Sequence, residues 1–358
     1  MKRIRIKDIA ERAGVSTGTV DRVLHQRGDV SAKARTKVEA AMEELGYEPN
    51  ALASALAYNR TLTIAVLLPF PDADDYWQAI NQGIRKAGQA LQHFGLNLRP
   101  IYFELASPRH FSECANRLLA ESPAGFLFAP VFQLEGADLC RQLQARAIPY
   151  VMINTRLAEA NALCFIGQDA YQAGYLAGKL ASTLLQESKE TWILHLEKGV
   201  DNAPHLLAKA HGFQTYFKEE GLQDQAVRTL NIAAYDNPET LAKQWSREVL
   251  MYGMPACVFV TNSRAHHLIE ALQLNEMEAP AVLGFDPIPA NLECLKHGTI
   301  QYLINQHPKA QGYLGMVALS NFLLKKVKAA PDTLLPLDIV VKENMSYLND
   351  WGEVMRII

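Results

Sequence analysis

Five residues near the start of the chain could read a nucleic acid. They lie in AGVSTGTVDRVLHQRG, residues 13–28, where Ser16, Thr17, Gly18 and Thr19 open a short helical run and Arg22 follows one turn later. A helix N-terminus flanked by hydroxyls, here those of Ser16 and Thr19, suits phosphate oxygens. Thr17, Gly18 and Arg22 would lie on the solvent side, facing a major groove. A guanidinium can bond guanine O6 and N7 together, which makes Arg22 the natural reader of a base edge. Gly18 offers no side chain to a base and lowers helix propensity by about 1 kcal/mol relative to alanine. The same residues can also be read as the ordinary surface of a small helical bundle.

A second set of residues is defined by position at the ends of apolar runs. Asp74, Asp75, Tyr76 and Trp77 follow TIAVLLPF, and Asn154 and Thr155 follow the apolar part of PYVMIN. Asn262 closes ACVFVTN, Asp286 closes AVLGFD and Gln306 closes TIQYLINQ. In two-lobed folds the ligand sits between the C-terminal ends of such strands. Aromatic rings there suit stacking on a sugar face, although Tyr76 and Trp77 also read as core residues at a helix start. An ionised carboxylate that accepts from neighbouring hydroxyls, with amides that both donate and accept, is sugar chemistry. Asp169, after FIGQ, reads as the N-cap of AYQAGYLAGKL.

The elements that must position these groups fall into three parts. Residues 6–45 predict three short helices: one burying Ile6, Ile9, Ala10 and Ala13 and stopped by Gly14, one capped by Ser16, and one capped by Ser31 with Gly46 at its C-cap. The first two with the AGVS turn between them make a helix-turn-helix. YEPNALASALAYNR is alanine-rich and reads as a linker with helical propensity. From residue 62 the texture alternates between short β-branched runs and amphipathic helical segments, which means parallel sheets covered on both faces. About ten strands in roughly 280 residues is large for one sheet, so two doubly wound halves are expected.

Composition narrows the class. At 49% hydrophobic and 20% charged residues, the chain can bury a sizeable core. Residues 1–60 carry a net charge of +3 and the remainder −6, which points any polyanionic partner to the head. The five cysteines form no CxxC pair, so neither a zinc site nor a disulfide framework is indicated, and reduced thiols in a cytoplasm are expected. The N-terminal MKRIRIKDIAERAG lacks the apolar core of a signal peptide, and no apolar run approaches membrane-spanning length. There is no GxGxxG, GxxxxGK[ST] or GxSxG motif, and the reading contains no cofactor and no enzyme. His266, His267 and Glu270 have a spacing that could bring two side chains to one metal, but an exposed helix face is the expectation.

IKDIAERAGVSTGTVDRVLHQRGDVSAKARTKVEAAMEELGYEPNALASALA resembles the LacI (lactose-repressor) family of bacterial transcription regulators without a gap, and the alternating body resembles periplasmic sugar-binding proteins of type I. The resemblance implies an all-α head at 1–47, a hinge at 48–61, a two-lobed effector domain at 62–345 and a tail at 346–358. It places the first lobe at about 62–165 and 307–329, and the second at about 166–306 and 330–345. It implies hinge helices formed on DNA, with Leu56 wedged into the minor groove beside Asn50 and Ala53. It places ligand contacts at Asn262, Asp286 and Gln306. HLLAKAHGF matches a family segment with arginine three residues before the glycine, a position held here by Lys209, which keeps the charge but loses the bidentate fork. Asp21 and His25 stand where the family commonly has serine and asparagine.

These readings predict a ligand-responsive regulator, a repressor in the family's manner. It would bind a pseudo-palindromic operator as a homodimer under control of a small sugar-like effector. The alternatives are a solute-binding protein, or a regulator whose effector is a purine or polyol. A transport protein would require a signal peptide and no DNA-binding head.

Overall fold

The computed structural model describes residues 4–24, 28, 30–45, 47, 61–157, 159–185, 190–222 and 226–348. The expected hinge residues Asn50, Ala53 and Leu56, the expected cap Gly46, His25 and the tail beyond 348 lie outside them.

The head contains α1 (Ile6–Ala13), α2 (Thr17–Leu24) and α3 (Ala32–Leu45). Gly14 ends α1 in the left-handed region (φ 64°), where its N–H reaches Ala10 O. A glycine pays little for that conformation, and it turns the chain sharply enough to start α2 after two residues. Ser31 caps α3 through Ala34 N at 3.3 Å. Ile9, Ala10 and Ala13 meet Val20 and Val23 of α2 and Val38 and Ala41 of α3 in one small core. The heptad-like spacing of these residues is what brings three short helices together, since none is long enough to be stable alone.

The body is built on two six-stranded sheets. The first holds β1 (Leu62–Pro69), β2 (Leu96–Phe103), β3 (Gly125–Phe128), β4 (Tyr150–Ile153), β5 (Cys164–Gly167) and β11 (Asp332–Leu334), in the spatial order β11-β5-β4-β3-β1-β2. The second holds β6 (Thr191–His195), β7 (Val227–Asn231), β8 (Cys257–Val260), β9 (Ala281–Phe285), β10 (Tyr302–Asn305) and β12 (Asp338–Val340), in the order β12-β10-β9-β8-β6-β7. All pairs are parallel except β10 with β12. Strands β3, β4 and β5 are buried at every position, as a sheet covered on both faces requires.

The covering helices of the first sheet include α4 (Asp75–Leu91), α5 (Pro108–Ala120), α6 (Gln133–Ala145) and, from late in the chain, α12 (Pro308–Lys325). Those of the second are α7 (Ala170–Ser182), α8 (Pro204–Glu219), α9 (Pro238–Tyr252), α10 (Ala265–Leu274) and α11 (Pro289–His297). In each lobe two helices cross at reciprocal glycines. A Cβ on Gly83 would lie 2.0 Å from Lys309 O and one on Gly312 2.1 Å from Ile80 O. The second lobe repeats the device: a Cβ on Gly174 would lie 1.9 Å from Lys209 O and one on Gly212 2.0 Å from Tyr171 O.

The chain crosses between lobes after β5, after β10 and between β11 and β12. Gln168 ties the three crossings together, its Nε2 donating to Asn305 O at 2.7 Å and to Pro336 O. Two expected boundaries change. The first lobe's opening stretch runs to the end of β5 at Gly167 rather than to 165. Residues 330–345 do not all belong to the second lobe, because β11 extends the first sheet beside β5 and only β12 joins the second.

Candidate functional site

On the head, Ser16, Thr17, Gly18 and Arg22 are exposed and Thr19 is half-buried. Ser16 is engaged as the cap of α2: its Oγ accepts from Thr19 N at 3.1 Å and lies 2.9 Å from Thr19 Oγ1. Arg22 lies along its own helix, with Nε donating to Gly18 O at 3.1 Å. Glycine at 18 leaves that carbonyl unshielded by a side chain. The contact uses Nε and leaves the two terminal nitrogens, the pair that matches a guanine edge.

In the body, the strand order reverses between β1 and β3 and again between β6 and β8, and the cleft lies at those strand ends. Its empty volume, mouth included, is about 570 Å³. Of the expected contact residues, Asp74, Tyr76, Trp77, Asn154, Lys209, Asn262 and Gln306 line it. Tyr76 and Trp77 are 4% and 5% exposed and belong to the first lobe's core, as one reading of them had it, and both also border the cavity. Asp74 caps α4 through Tyr76 N at 2.9 Å. The Tyr76 hydroxyl accepts from Asn154 Nδ2 at 2.6 Å, and burial, then Asp286, push its pKa well above the ordinary value.

Asn154 and Asp286 occupy equivalent places in the two lobes. Each follows the fourth strand of its sheet, β4 or β9, with positive φ (65° and 63°), and each backbone N–H bonds the neighbouring strand, at Ile166 O and Ile304 O. Asn and Asp are among the few side chains that accept this left-handed turn.

Asp286 departs from expectation. It is fully buried behind Gln306 and does not line the cavity. Its Oδ1 accepts from Gln306 N at 2.9 Å and its Oδ2 from Gln306 Nε2 at 2.6 Å. Gln306 Oε1 in turn accepts from Lys209 Nζ at 3.0 Å, and Lys209 also donates to Thr261 O at 3.1 Å and sits 3.6 Å above the Phe285 ring. Gln306 therefore stands between the carboxylate and the cleft. Burial lowers Lys209 and raises Asp286, each opposed by the other's charge. His195, bonded to Thr261 Oγ1 at 2.8 Å, is lowered to about 4 by burial and then by Lys209.

Several wall residues were not nominated from the sequence. Arg264, 7% exposed, follows Asn262 by two residues and donates to Glu197 Oε2 at 2.7 Å and Leu196 O at 2.9 Å. Its Nη2 lies 3.5 Å from Asp74 Oδ2 across the cleft, and the guanidinium sits over the Tyr235 ring. Burial alone would lower its pKa, but Glu197, Tyr235 and Asp74 together raise it. Phe132 and Glu197 line the cavity as well, and each lies just beyond an apolar strand, the same signal that nominated Asn262. Asn262 itself is tied into the loop, donating to Leu196 O at 3.0 Å and accepting from Arg264 N at 3.2 Å. Asp169 caps α7 through Gln172 N at 3.0 Å, and His266 Nδ1 pairs with Asn291 Oδ1 at 3.0 Å.

A helix-turn-helix head followed by two doubly wound lobes around a polar and aromatic cleft defines a regulator-type architecture. Residues 5–50 match the family described as bacterial regulatory proteins, lacI family, and residues 64–326 match the periplasmic binding protein domain. The chain therefore joins a LacI-family head to a body that belongs to the periplasmic binding protein domain family. It is 54% identical over 66 residues to the lactose operon repressor of Escherichia coli K12, a match spanning 18% of each chain. It is 29% identical over 174 residues, 49% of each chain, to the HTH-type transcriptional repressor PurR of Klebsiella pneumoniae. These matches therefore span about half or less of the curated relatives. A solved structure assigned as a LacI transcriptional regulator from Bacteroides fragilis superposes with a TM-score of 0.75 at 25% identity, covering 81% of this chain and all of that one. A glucose-galactose binding protein from Geobacillus stearothermophilus shares the fold, with a TM-score of 0.69 at 19% identity over 80% of this chain and 99% of that one.

Proposed function

We propose that the protein is a transcription regulator that binds double-stranded operator DNA through its head and a neutral, polyhydroxylated effector in its cleft. The observation that carries the effector class is the charge balance of the wall. Arg264 is held by Glu197 and faces Asp74, and Lys209 is tied through Gln306 to Asp286. Lys198, the third cation of the wall, lies 3.4 Å from Asp236. With all three matched by carboxylates, an anionic ligand gains little, whereas hydroxyls can exchange bonds with amides and carboxylates beside the rings of Tyr76 and Trp77. Two-fold pairing doubles the contact area of a small head, so the regulator acts as a homodimer on a pseudo-palindromic site.

The test is a thermal-shift screen of neutral sugars, polyols and nucleosides against the purified chain, followed by operator titration with and without each hit. A hit among sugars or polyols that changes operator affinity supports the reading. Nucleosides alone as hits would replace the effector class, and equal affinity for operator and random DNA would remove the regulator.

A further inference from the structure

Among the described residues, and away from the three chain crossings, three sets of polar contacts run from one lobe to the other around the cleft. Besides Asp74 with Arg264, Thr155 Oγ1 of the first lobe lies 3.3 Å from His205 Nδ1 of the second. The Thr155 hydroxyl donates to Asn154 Oδ1 at 2.8 Å, so His205 Nδ1 carries the shared proton in this contact. The third contact involves a helix cap. Helix α6 of the first lobe begins after Phe132, which has no side chain able to cap it. Asn202, just ahead of α8 in the second lobe, supplies the missing group: its Oδ1 accepts from Leu134 N at 3.1 Å and its Nδ2 donates to Glu135 Oε2 at 2.8 Å. Leu134 is the second residue of α6, the place where a helix's own N-cap side chain normally accepts.

We infer that Asn202 is a cap supplied in trans, and that with the two other contacts it forms a latch by which the lobes hold each other closed. Separating the lobes uncaps α6, leaving Leu134 N to water and parting the Asp74–Arg264 pair. The closing equilibrium is then set partly by direct lobe-to-lobe bonds, and the effector adds to a closure the protein already favours. This inference does not depend on the identity of the effector or on DNA binding.

The test uses the full chain with spin labels at exposed Ala145 of the first lobe and Glu220 of the second, read by pulsed electron resonance. Hydrogen exchange is followed in parallel on a peptide containing Leu134. Asn202→Ala should enlarge the long-distance population several-fold and speed exchange at the start of α6 several-fold. Glu135→Ala, which leaves the Leu134 bond in place, should produce a smaller shift in the same direction and serves if the first variant does not fold. Distances and exchange unchanged from wild type in a folded variant would overturn the latch.

Discussion

Lys209, Gln306 and Asp286 form a hydrogen-bonded line with a fixed direction. The ammonium can only donate and the carboxylate only accept, so Gln306 must point its oxygen at Lys209 and its amide nitrogen at Asp286. Asp286→Asn would put an N–H against one of the two Gln306 donors and leave Lys209 without its carboxylate. Breaking a buried pair from one side costs about 3–5 kcal/mol. The expected outcome is a loss of roughly that size in urea unfolding; a loss below about 1 kcal/mol would show the line to be unimportant. Removing the side chain altogether releases Gln306 from its anchor: Asp286→Ala should weaken effector affinity indirectly, through Gln306 and Lys209, while leaving basal operator binding within a few-fold. At the head, Arg22→Ala should cost about 1–3 kcal/mol on the specific site and far less on random DNA, measured by competition titration. Equal losses on both would assign Arg22 to the phosphates.

At the scale of elements, the reciprocal glycine crossings are the sharpest constraint. Gly174→Ala would drive a methyl group into Lys209 O, and overpacking of this kind costs about 1–3 kcal/mol. Gly83→Ala should destabilise comparably, since its methyl would meet Lys309 O in the other lobe. The two should differ in effector affinity, measured by calorimetric titration, because only the first displaces a residue of the cleft wall. Most strands were legible because a doubly covered parallel strand is a continuous apolar run. Strands β11 and β12 were not, since DTLLPLDIV is short, interrupted by Pro336 and exposed along much of its length. The rule that ligands bind at strand ends found Asp74, Asn154 and Gln306, and Lys209 came from the family resemblance. The rule could not place Asp286 behind Gln306, because that depends on a side-chain pairing between two strands. Arg264 and Glu197 stood at strand ends too, but their partnership across 67 residues of sequence is a product of the fold.

For the molecule as a whole, burial holds several histidines neutral. His195, His205 and His267 are lowered to about 4, 3 and 4, in each case mainly by burial. In the unfolded chain they titrate near 6.5. Below pH 6.5 the unfolded state therefore binds more protons than the native state, and stability falls as the pH drops towards 4. Asp286, raised to about 6, acts in the opposite sense between there and its unfolded value near 3.8, but it is one group against these three and against His266 and His307, which burial also lowers. The melting temperature should decline steadily from pH 7 to pH 4.5 in calorimetry, with a shallower decline in His195→Asn, which keeps an amide towards Thr261. A flat profile would mean that the three rings take up protons without opening the fold. Sedimentation should find a dimer at micromolar concentration, and a monomer both free and on operator DNA would rule out two-fold operator recognition.

The threading of β11 and α12 back into the first lobe has a consequence for biosynthesis. Five strands and all five helices of the second lobe lie between residues 170 and 305, whereas α12 and the edge strand β11 of the first lobe come after them. A ribosome making this chain thus releases nearly all of the second lobe while the first still lacks the helix that covers β3, β4 and β5. When the second lobe lacks only its edge strand β12, the lobe translated first still waits for its covering helix. A nascent chain whose residues have left the ribosome as far as the end of β10, but not through α12, should carry a protease-resistant second lobe beside a first lobe that is still cleaved readily.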